Sequence, residues 1–457
     1  MRTYLKPAWA YCPHFFYYIC VELLINDFAV PIIGAGNVVL LYGGISAGTT
    51  IGFLLFPLFR RLVSGAMGRR LSLAIAWGIN LIALCGVFFL TVPMLFVVSS
   101  MLVTLTAGYI GGFVFYALAV GPTDKRYMGR FFGTSSMLLF LLQYGYNGVA
   151  PFIGNSGKLF VLCLSMSISV YALLFHLEKW MPFSLPDRSP KPQRDMQKYL
   201  WGTLFVVVIL CCLMGIIDGV LTSLHAGQEI NVSGIPRLLN GPTMFLLGFV
   251  FDYREARFFP AITVLSMTIL IISVFLFTGP DGFNIALGFL YVCGAAGSMY
   301  SVAALTVIAS STTCPELWAI MGRAGKYLPN GLMSIIGAYL FTADSILVLA
   351  VVYVILLAIM LLLFMGQGKL SIQRTTQQTE ESTQLTLADL ASSYNITNRE
   401  LEVLQFLLQG KATPEIAHVM SITDKSVQNY VSSLLSKTEM KSRGEMIAKF
   451  SHILLTK

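Results

Sequence analysis

The twelve residues INDFAVPIIGAG, Ile25–Gly36, return in altered form as IIDGVLTSLHAG, Ile216–Gly227, with Asp27 over Asp218 and Ala35-Gly36 over Ala226-Gly227. A second echo sets YMGR at 127–130 against IMGR at 320–323. Short matches arise easily by chance, but these two share an offset of 191 to 193 residues, and a common offset is the trace that a duplicated unit leaves. Two equivalent halves are therefore expected, about 10–178 and 199–366. The polar stretch 179–198, rich in Pro, Lys and Arg, would join them.

What the halves are made of follows from composition. Of 457 residues, 56% are hydrophobic and only 11% charged, and the mean hydropathy is +0.75. A soluble chain of this length carries about 25% charged residues, so a polytopic membrane protein is expected. Spanning about 30 Å of hydrocarbon takes roughly 20 apolar residues. Twelve such stretches can be drawn, six in each half, from 14–34 at the start to 345–366 at the end. The fold class expected is all-α, a twelve-helix transmembrane bundle with 6+6 pseudo-symmetry over residues 1–366. Glu22 and Asp27 interrupt the first apolar run and no small-residue cleavage site follows it, so it reads as a retained helix rather than a leader.

Orientation follows from Lys and Arg. With the N-terminus inside, the inner loops hold Arg60, Arg61, Arg69, Arg70, Lys125, Arg126 and Arg130, then the 179–198 cluster, then Arg254, Arg257, Arg323 and Lys326. The outer loops hold only Lys158 and Arg237. That asymmetry predicts a multi-pass membrane protein with both termini cytoplasmic. It also explains most of the net charge of +8 without invoking nucleic acid. The eight cysteines show no CxxC spacing, and no Walker motif, zinc spacing or serine elbow appears. No enzyme activity, cofactor or metal is expected.

Acidic groups inside spans are costly and face an interior or a wet cavity. Glu22, Asn26, Asp27 and Asp218 are thus candidates for an intramembrane ligand or proton site, or for polar groups satisfied within the bundle. Glu22 and Asn26 share a helix face, whereas Asp27 lies about 140° from Glu22 on a helical wheel, so the three do not point together. Asn80, Tyr144, Tyr146, Asn147 and Tyr300 either line the same cavity or pack as polar core.

Two loops carry a resemblance. RLVSGAMGRR, Arg61–Arg70, and GFVFDYREAR, Gly248–Arg257, are similar to the GxxxDRxGRR motif that the major facilitator superfamily places after its second and eighth helices. The first copy keeps Gly68, Arg69 and Arg70 but has Arg61 and Gly65 where the motif has its first Gly and its Asp. The second keeps Gly248, Asp252 and Arg257. The resemblance implies the twelve-helix fold of that superfamily. The missing first-half acid counts against ordinary transport cycling, in which it helps to lock the cytoplasmic side.

After Gly366 the composition turns to Gln, Thr, Ser and Glu, as in a tether, through residues 367–395, with one short helix expected near 385–394. Then punctuation returns. Thr397 and Glu400 have capping-box spacing, Gly410 stops the first helix, Thr413-Pro414 restarts the chain, and Thr423 caps a third helix. ITNRELEVLQFLLQGKATPEIAHVMSITDKSVQNYVSSLLSKTEMKSR, Ile396–Arg443, resembles the C-terminal DNA-binding domain of LuxR-type bacterial regulators, with Arg399, Glu400, Gly410, Glu415, Val427 and Lys437 in register. The resemblance implies a small tetrahelical helix-turn-helix domain over 396–457. Gln428 and Tyr430 depart from that family's Lys and His, and Thr438 from its Leu.

Helical periodicity turns Lys425, Gln428, Asn429 and Ser432 outward, where they would meet base edges. Lys411, Thr413, Lys425, Ser426 and Lys437 would meet phosphates. Eight basic against six acidic residues from Thr397 onward make a weakly positive domain, so useful binding would need a homodimer or tandem sites. The partners expected are double-stranded DNA, the lipid bilayer and a small-molecule ligand. Three functions compete: a membrane-bound transcriptional sensor, a secondary transporter with a regulatory or vestigial tail, and an inert membrane anchor for a DNA-binding domain.

Overall fold

A computed structural model of the chain describes residues 4–63, 65–121, 125–176, 194–232, 234–253, 259–276, 279–342, 347–348, 350–363, 394–408, 410–438, 440, 442–447 and 450. Most of the 179–198 loop, nearly all of the 367–395 tether with its expected short helix, and Arg257 lie outside the described residues. The chain divides into two compact units, Met1–Gln367 and Gly368–Lys457.

The described residues of the first unit form helices joined by short turns. Its elements are α1 (Leu5–Ile33), α2 (Val38–Leu62), α3 (Ala66–Phe89), α4 (Pro93–Val120), α5 (Met128–Tyr171), α6 (Arg194–Ala226), α7 (Asn240–Asp252), α8 (Phe259–Leu276), α9 (Gly279–Ala309), α10 (Pro315–Thr342) and α11 (Ala350–Leu363). At 44 residues, α5 would run to about 66 Å if straight, twice the hydrocarbon thickness. It breaks at Gly154, whose φ of 60° and ψ of −175° lie where only glycine is at ease. With that elbow counted, the described residues make twelve helical legs. Seven helices among the described residues are long and apolar enough to cross a membrane. α7 is short, extended backwards by the 3-10 turn Ile235–Leu239, and α10 is polar because Glu316, Arg323 and Lys326 lie inside it.

That last point corrects the topology reading. Arg323 and Lys326 are not loop residues, since α10 begins at Pro315 rather than near 327.

The contacts obey the repeat. α2 packs against α10 and α5 against α7, so each seam sets the second leg of one half against the fifth leg of the other. Within the halves α1 pairs with α5 and α6 with α10, the first leg with the fifth. In lipid no hydrophobic force draws helices together, and small residues that let backbones approach supply the contact. A Cβ on Gly248 of α7 would stand 2.5 Å from the carbonyl oxygen of Gly129 on α5, and one on Gly331 of α10 would stand 2.6 Å from Ser46 Cβ on α2. Large apolar side chains such as Ile82, Phe152 and Leu362 remain exposed, as a lipid-facing surface requires.

The second unit has its own core, built on Val403, Leu404, Leu407, Ile416, Val427, Leu434 and Met446. α12 (Asn398–Leu408) opens with the capping box: Thr397 N–H donates to Glu400 Oε2 at 2.7 Å, and the Glu400 amide approaches Thr397 Oγ1 at 3.5 Å. Gly410 ends it with φ of 80°. α13 (Thr413–Val419) is capped one residue earlier than its Thr suggests, by Ala412, whose N–H donates to Glu415 at 2.7 Å. Ala412 has no side-chain acceptor, and the Thr413 hydroxyl instead accepts from Arg443 at 3.3 Å. After the turn, Thr423 caps α14 (Asp424–Thr438) by accepting from Ser426 N–H at 3.2 Å. Residues 443–447 are helical again.

A Gly248→Val substitution should force α7 off α5. The expected loss is about 1–3 kcal/mol, read as a lower unfolding temperature of the full chain in detergent, with Val substituted at the open Gly78 as an inert control.

Candidate functional site

A cavity of about 200 Å³ opens inside the first unit, walled by both halves. From α1 come Glu22 and Asn26, from α6 Asp218, from α10 Arg323, Lys326 and Asn330. The α10 residues fall at i, i+3 and i+7, one helix face. Glu22, Asp218 and Lys326 are each half-buried in the middle of long helices, which is what facing a cavity rather than lipid produces.

One wall is hydrogen-bonded in series. Tyr42 OH donates to Asn330 Oδ1 at 2.9 Å, and Asn330 Nδ2 donates to Asp218 Oδ2 at 2.8 Å. Deeper along α10, Arg323 is held by rings: its guanidinium carbon stands 5.6 Å from the Phe15 centroid and 5.0 Å from that of Phe115. Nη1 reaches Tyr327 OH at 3.5 Å. Arg237, on the turn before α7, donates from Nε to Gln143 Oε1 at 3.1 Å.

Asp27 stands apart. It is 56% exposed and meets His225 Nε2 at 3.4 Å, so the repeat partners Asp27 and Asp218 occupy unlike settings. Of the other polar candidates, none lines the cavity. Asn80 is fully buried, accepting from Tyr17 OH at 2.8 Å and donating to Thr106 at 2.8 Å.

The motif loops also join the halves. Asp252, at the end of α7, accepts from the amides of Gly129 at 2.7 Å and Arg130 at 2.9 Å, a carboxylate against the free N–H groups that begin α5. Gly248 lies one turn earlier at the close approach. In the other copy Gly65 takes φ of 89°, a region unfavourable to aspartate. There the cross-half contact is made with reversed charges: Arg61 donates from Nε at 2.9 Å and Nη2 at 2.8 Å to Glu316 Oε1, in the first turn of α10. Gly68 lies at the start of α3 beside Val63, and the buried Arg69 donates to Val63 O at 3.3 Å. Arg70 follows on the same helix.

In the second unit, Lys425, Gln428, Asn429 and Ser432 are all exposed on α14, at spacings of three and four that form one face. Ser426 instead pairs its hydroxyl with Thr423 at 2.9 Å. Lys411 lies over the Phe406 ring at 4.6 Å, and its carbonyl accepts from Arg443 at 2.8 Å.

Residues 394–450 match the family described as bacterial regulatory proteins, luxR family. Spore germination protein GerE of Bacillus subtilis (strain 168) is 37% identical over 54 residues, 12% of this chain and 73% of GerE. The chain belongs to the luxR family of bacterial regulatory proteins. The shared part is the C-terminal domain. Transcriptional regulatory protein DesR of the same organism is 45% identical over 64 residues, 14% of this chain and 32% of DesR, so the chain spans about a third of that relative. The first unit is similar to the human organic anion transporter MFSD10, with TM-score 0.48, 14% identity, and coverage of 81% of this chain and 96% of that one.

Within the luxR-type domain, Lys437 is engaged internally. Its ammonium donates to Glu400 at 2.7 Å and to Asn395 O at 2.9 Å, while Ser433 donates to the other Glu400 oxygen at 2.6 Å. Burial opposes the charge on Glu400, but Lys437, Ser433 and the Thr397 amide together hold its carboxyl down at about 2, below the ordinary 4.5. Thr438, at a core position, donates its hydroxyl to Leu434 O at 2.6 Å.

A carboxyl with a depressed folded pKa contributes stability above its unfolded value and loses it as pH falls towards the folded one. The isolated domain, residues 380–457, should therefore lose on the order of 2–3 kcal/mol between pH 5 and 2 from this group. Glu400→Gln should flatten that part of a chemical-denaturation pH profile.

Proposed function

We propose that this protein is a membrane-bound bacterial transcriptional regulator. The bundle lies in the inner membrane with both termini cytoplasmic, takes up a small molecule in its central cavity, and thereby alters how the luxR-type domain engages promoter DNA. It needs no cofactor and catalyses no reaction. The observation that carries this reading is the exposed face of α14, where Lys425, Gln428, Asn429 and Ser432 stand together on the second helix of a luxR-type helix-turn-helix.

Such a helix enters the major groove with side chains meeting base edges. Gln428 and Asn429 match adenine, whose N6 amino group donates to the side-chain amide oxygen while N7 accepts from the amide nitrogen, and Lys425 matches guanine. Lys411 and Thr413 suit the flanking phosphates. Lys437, tied to Glu400, supports the domain more than it offers charge. With so little free positive charge, affinity should rest on base contacts and on pairing of two domains, each copy reading a half-site.

A ligand shifts a conformational equilibrium only through unequal affinity for the two states. Arg61 to Glu316 and Asp252 to the start of α5 join the halves at loops that the charge asymmetry assigns to the cytoplasmic side, so rearrangement around the cavity would work against these contacts. The same cavity also suits a secondary transporter, the second reading, and the absence of an acid at position 65 counts against it.

Residues 380–457 should bind the promoter of a neighbouring operon. Asn429→Ala and Gln428→Ala should each cost about 1–3 kcal/mol on the cognate site. Lys411→Ala should weaken all sequences alike and reduce the salt slope by about 1. In cells, Asp218→Asn should alter a promoter reporter. Substrate uptake by a chain truncated after 366, with no reporter effect of any cavity variant, would favour the transporter instead.

A further inference from the structure

The cavity brings five acidic and basic side chains together, Glu22, Asp218, Arg237, Arg323 and Lys326. Among the described residues no ion pair joins either acid to any of the three cations. Lys326 and Arg237 act on Asp218, and Lys326 on Glu22, only across the cavity space, and charges held without direct contact are costly within a bilayer unless water or a ligand bridges them. Three further wall groups lack a hydrogen-bond partner: Asn26 Oδ1, Ser136 Oγ and Arg323 Nε. All three residues are more than nine-tenths buried, at 8%, 1% and 4% exposure, so solvent does not satisfy them freely.

The charges are sorted along the helices. Asp218 meets Asn330, and the Glu22 end of α1 lies seven residues beyond Phe15, the ring that Arg323 faces. Arg323 and Asn330 are likewise seven residues apart on α10. At 1.5 Å per residue both helices put about 10 Å between an acidic pole, Glu22 with Asp218, and a basic pole, Arg323. Lys326 stands between them, nearer to Arg323. Arg237 acts on Asp218 from the same end of the cavity, while its guanidinium is held by Gln143 and by the rings of Phe140 and Tyr291, each 5.7 Å away. Tyr18 and Tyr327, with ring centroids 5.2 Å apart, also line the cavity.

We infer that the cavity recognises an amphoteric small molecule, with a carboxylate or phosphate at Arg323 and a cationic group at Glu22 and Asp218, separated by an apolar body about 10 Å long. A molecule with one sign of charge would make direct contact at one pole only. In a volume of about 200 Å³ this is a compact metabolite, not a lipid. The inference rests on the ligand-sensing reading above and names the ligand's charge pattern.

Three straight-chain probes of equal length test it on the full chain in nanodiscs: 8-aminooctanoate, the diacid suberate, and 1,8-diaminooctane. By isothermal titration, 8-aminooctanoate should bind at least about tenfold more tightly than either symmetric probe, the worth of one charge-assisted contact. Arg323→Gln should abolish its advantage over the diamine, and Asp218→Asn its advantage over the diacid. Equal binding of suberate or diaminooctane to the unaltered protein would overturn the proposal, as would failure of all three. The probe comparison needs no variant, so misfolding cannot obscure it. The reporter response to Asp218→Asn, which needs no known ligand, decides separately whether the cavity signals at all.

Discussion

A peptide group in hydrocarbon has no water to bond with, so each must be satisfied by its own helix, and each charge must find a partner or a cavity. That constraint shapes the first 366 residues. Helix N-termini are its exception, because their first amides have no intrahelical acceptor. The start of α5 is answered by Asp252 from the other half, which makes a local deficiency into a bond between halves. Close approach follows from it: Gly129 and Gly248 face each other where no side chain would fit.

The other seam meets the same need differently. With Gly65 in a left-handed conformation, no carboxylate is offered from the loop after α2, and Arg61 reaches the acid carried by α10 itself. One cross-half contact is thus a carboxylate on amides and the other a guanidinium on a carboxylate. A pseudo-symmetric scaffold has become electrically asymmetric.

Much of this was legible from residue order. The common offset of two weak repeats implied halves, and the seams obey it. The capping box at Thr397 and Glu400, the stop at Gly410 and the outward face of Lys425, Gln428, Asn429 and Ser432 depend on neighbours within four residues, so they could be read directly. Other features were misread for a physical reason. Arg323 and Lys326 count as loop charges in any tally of topology, yet they lie on α10, where aromatic rings and the cavity, rather than lipid, surround them. Their spacing with Tyr327 and Asn330, at 3, 4 and 7, is the signal that would have found them. Thr413 looked like a cap, and Ala412 holds that place because Glu415 alone satisfies the amide there.

Sequence by itself determined the class: a hydrophobic, twice-repeated chain ending in a luxR-type helix-turn-helix, since hydropathy, offset and local caps are properties of near neighbours along the chain. Tertiary structure alone decided the partners. It separated Asp27 from Asp218 despite their matching repeat positions, set Asp218 against Asn330 more than a hundred residues away, turned Lys437 inward onto Glu400, and gathered unpaired charges of both signs around one cavity. Such pairings depend on which helix faces which, and helical periodicity gives only the face of each.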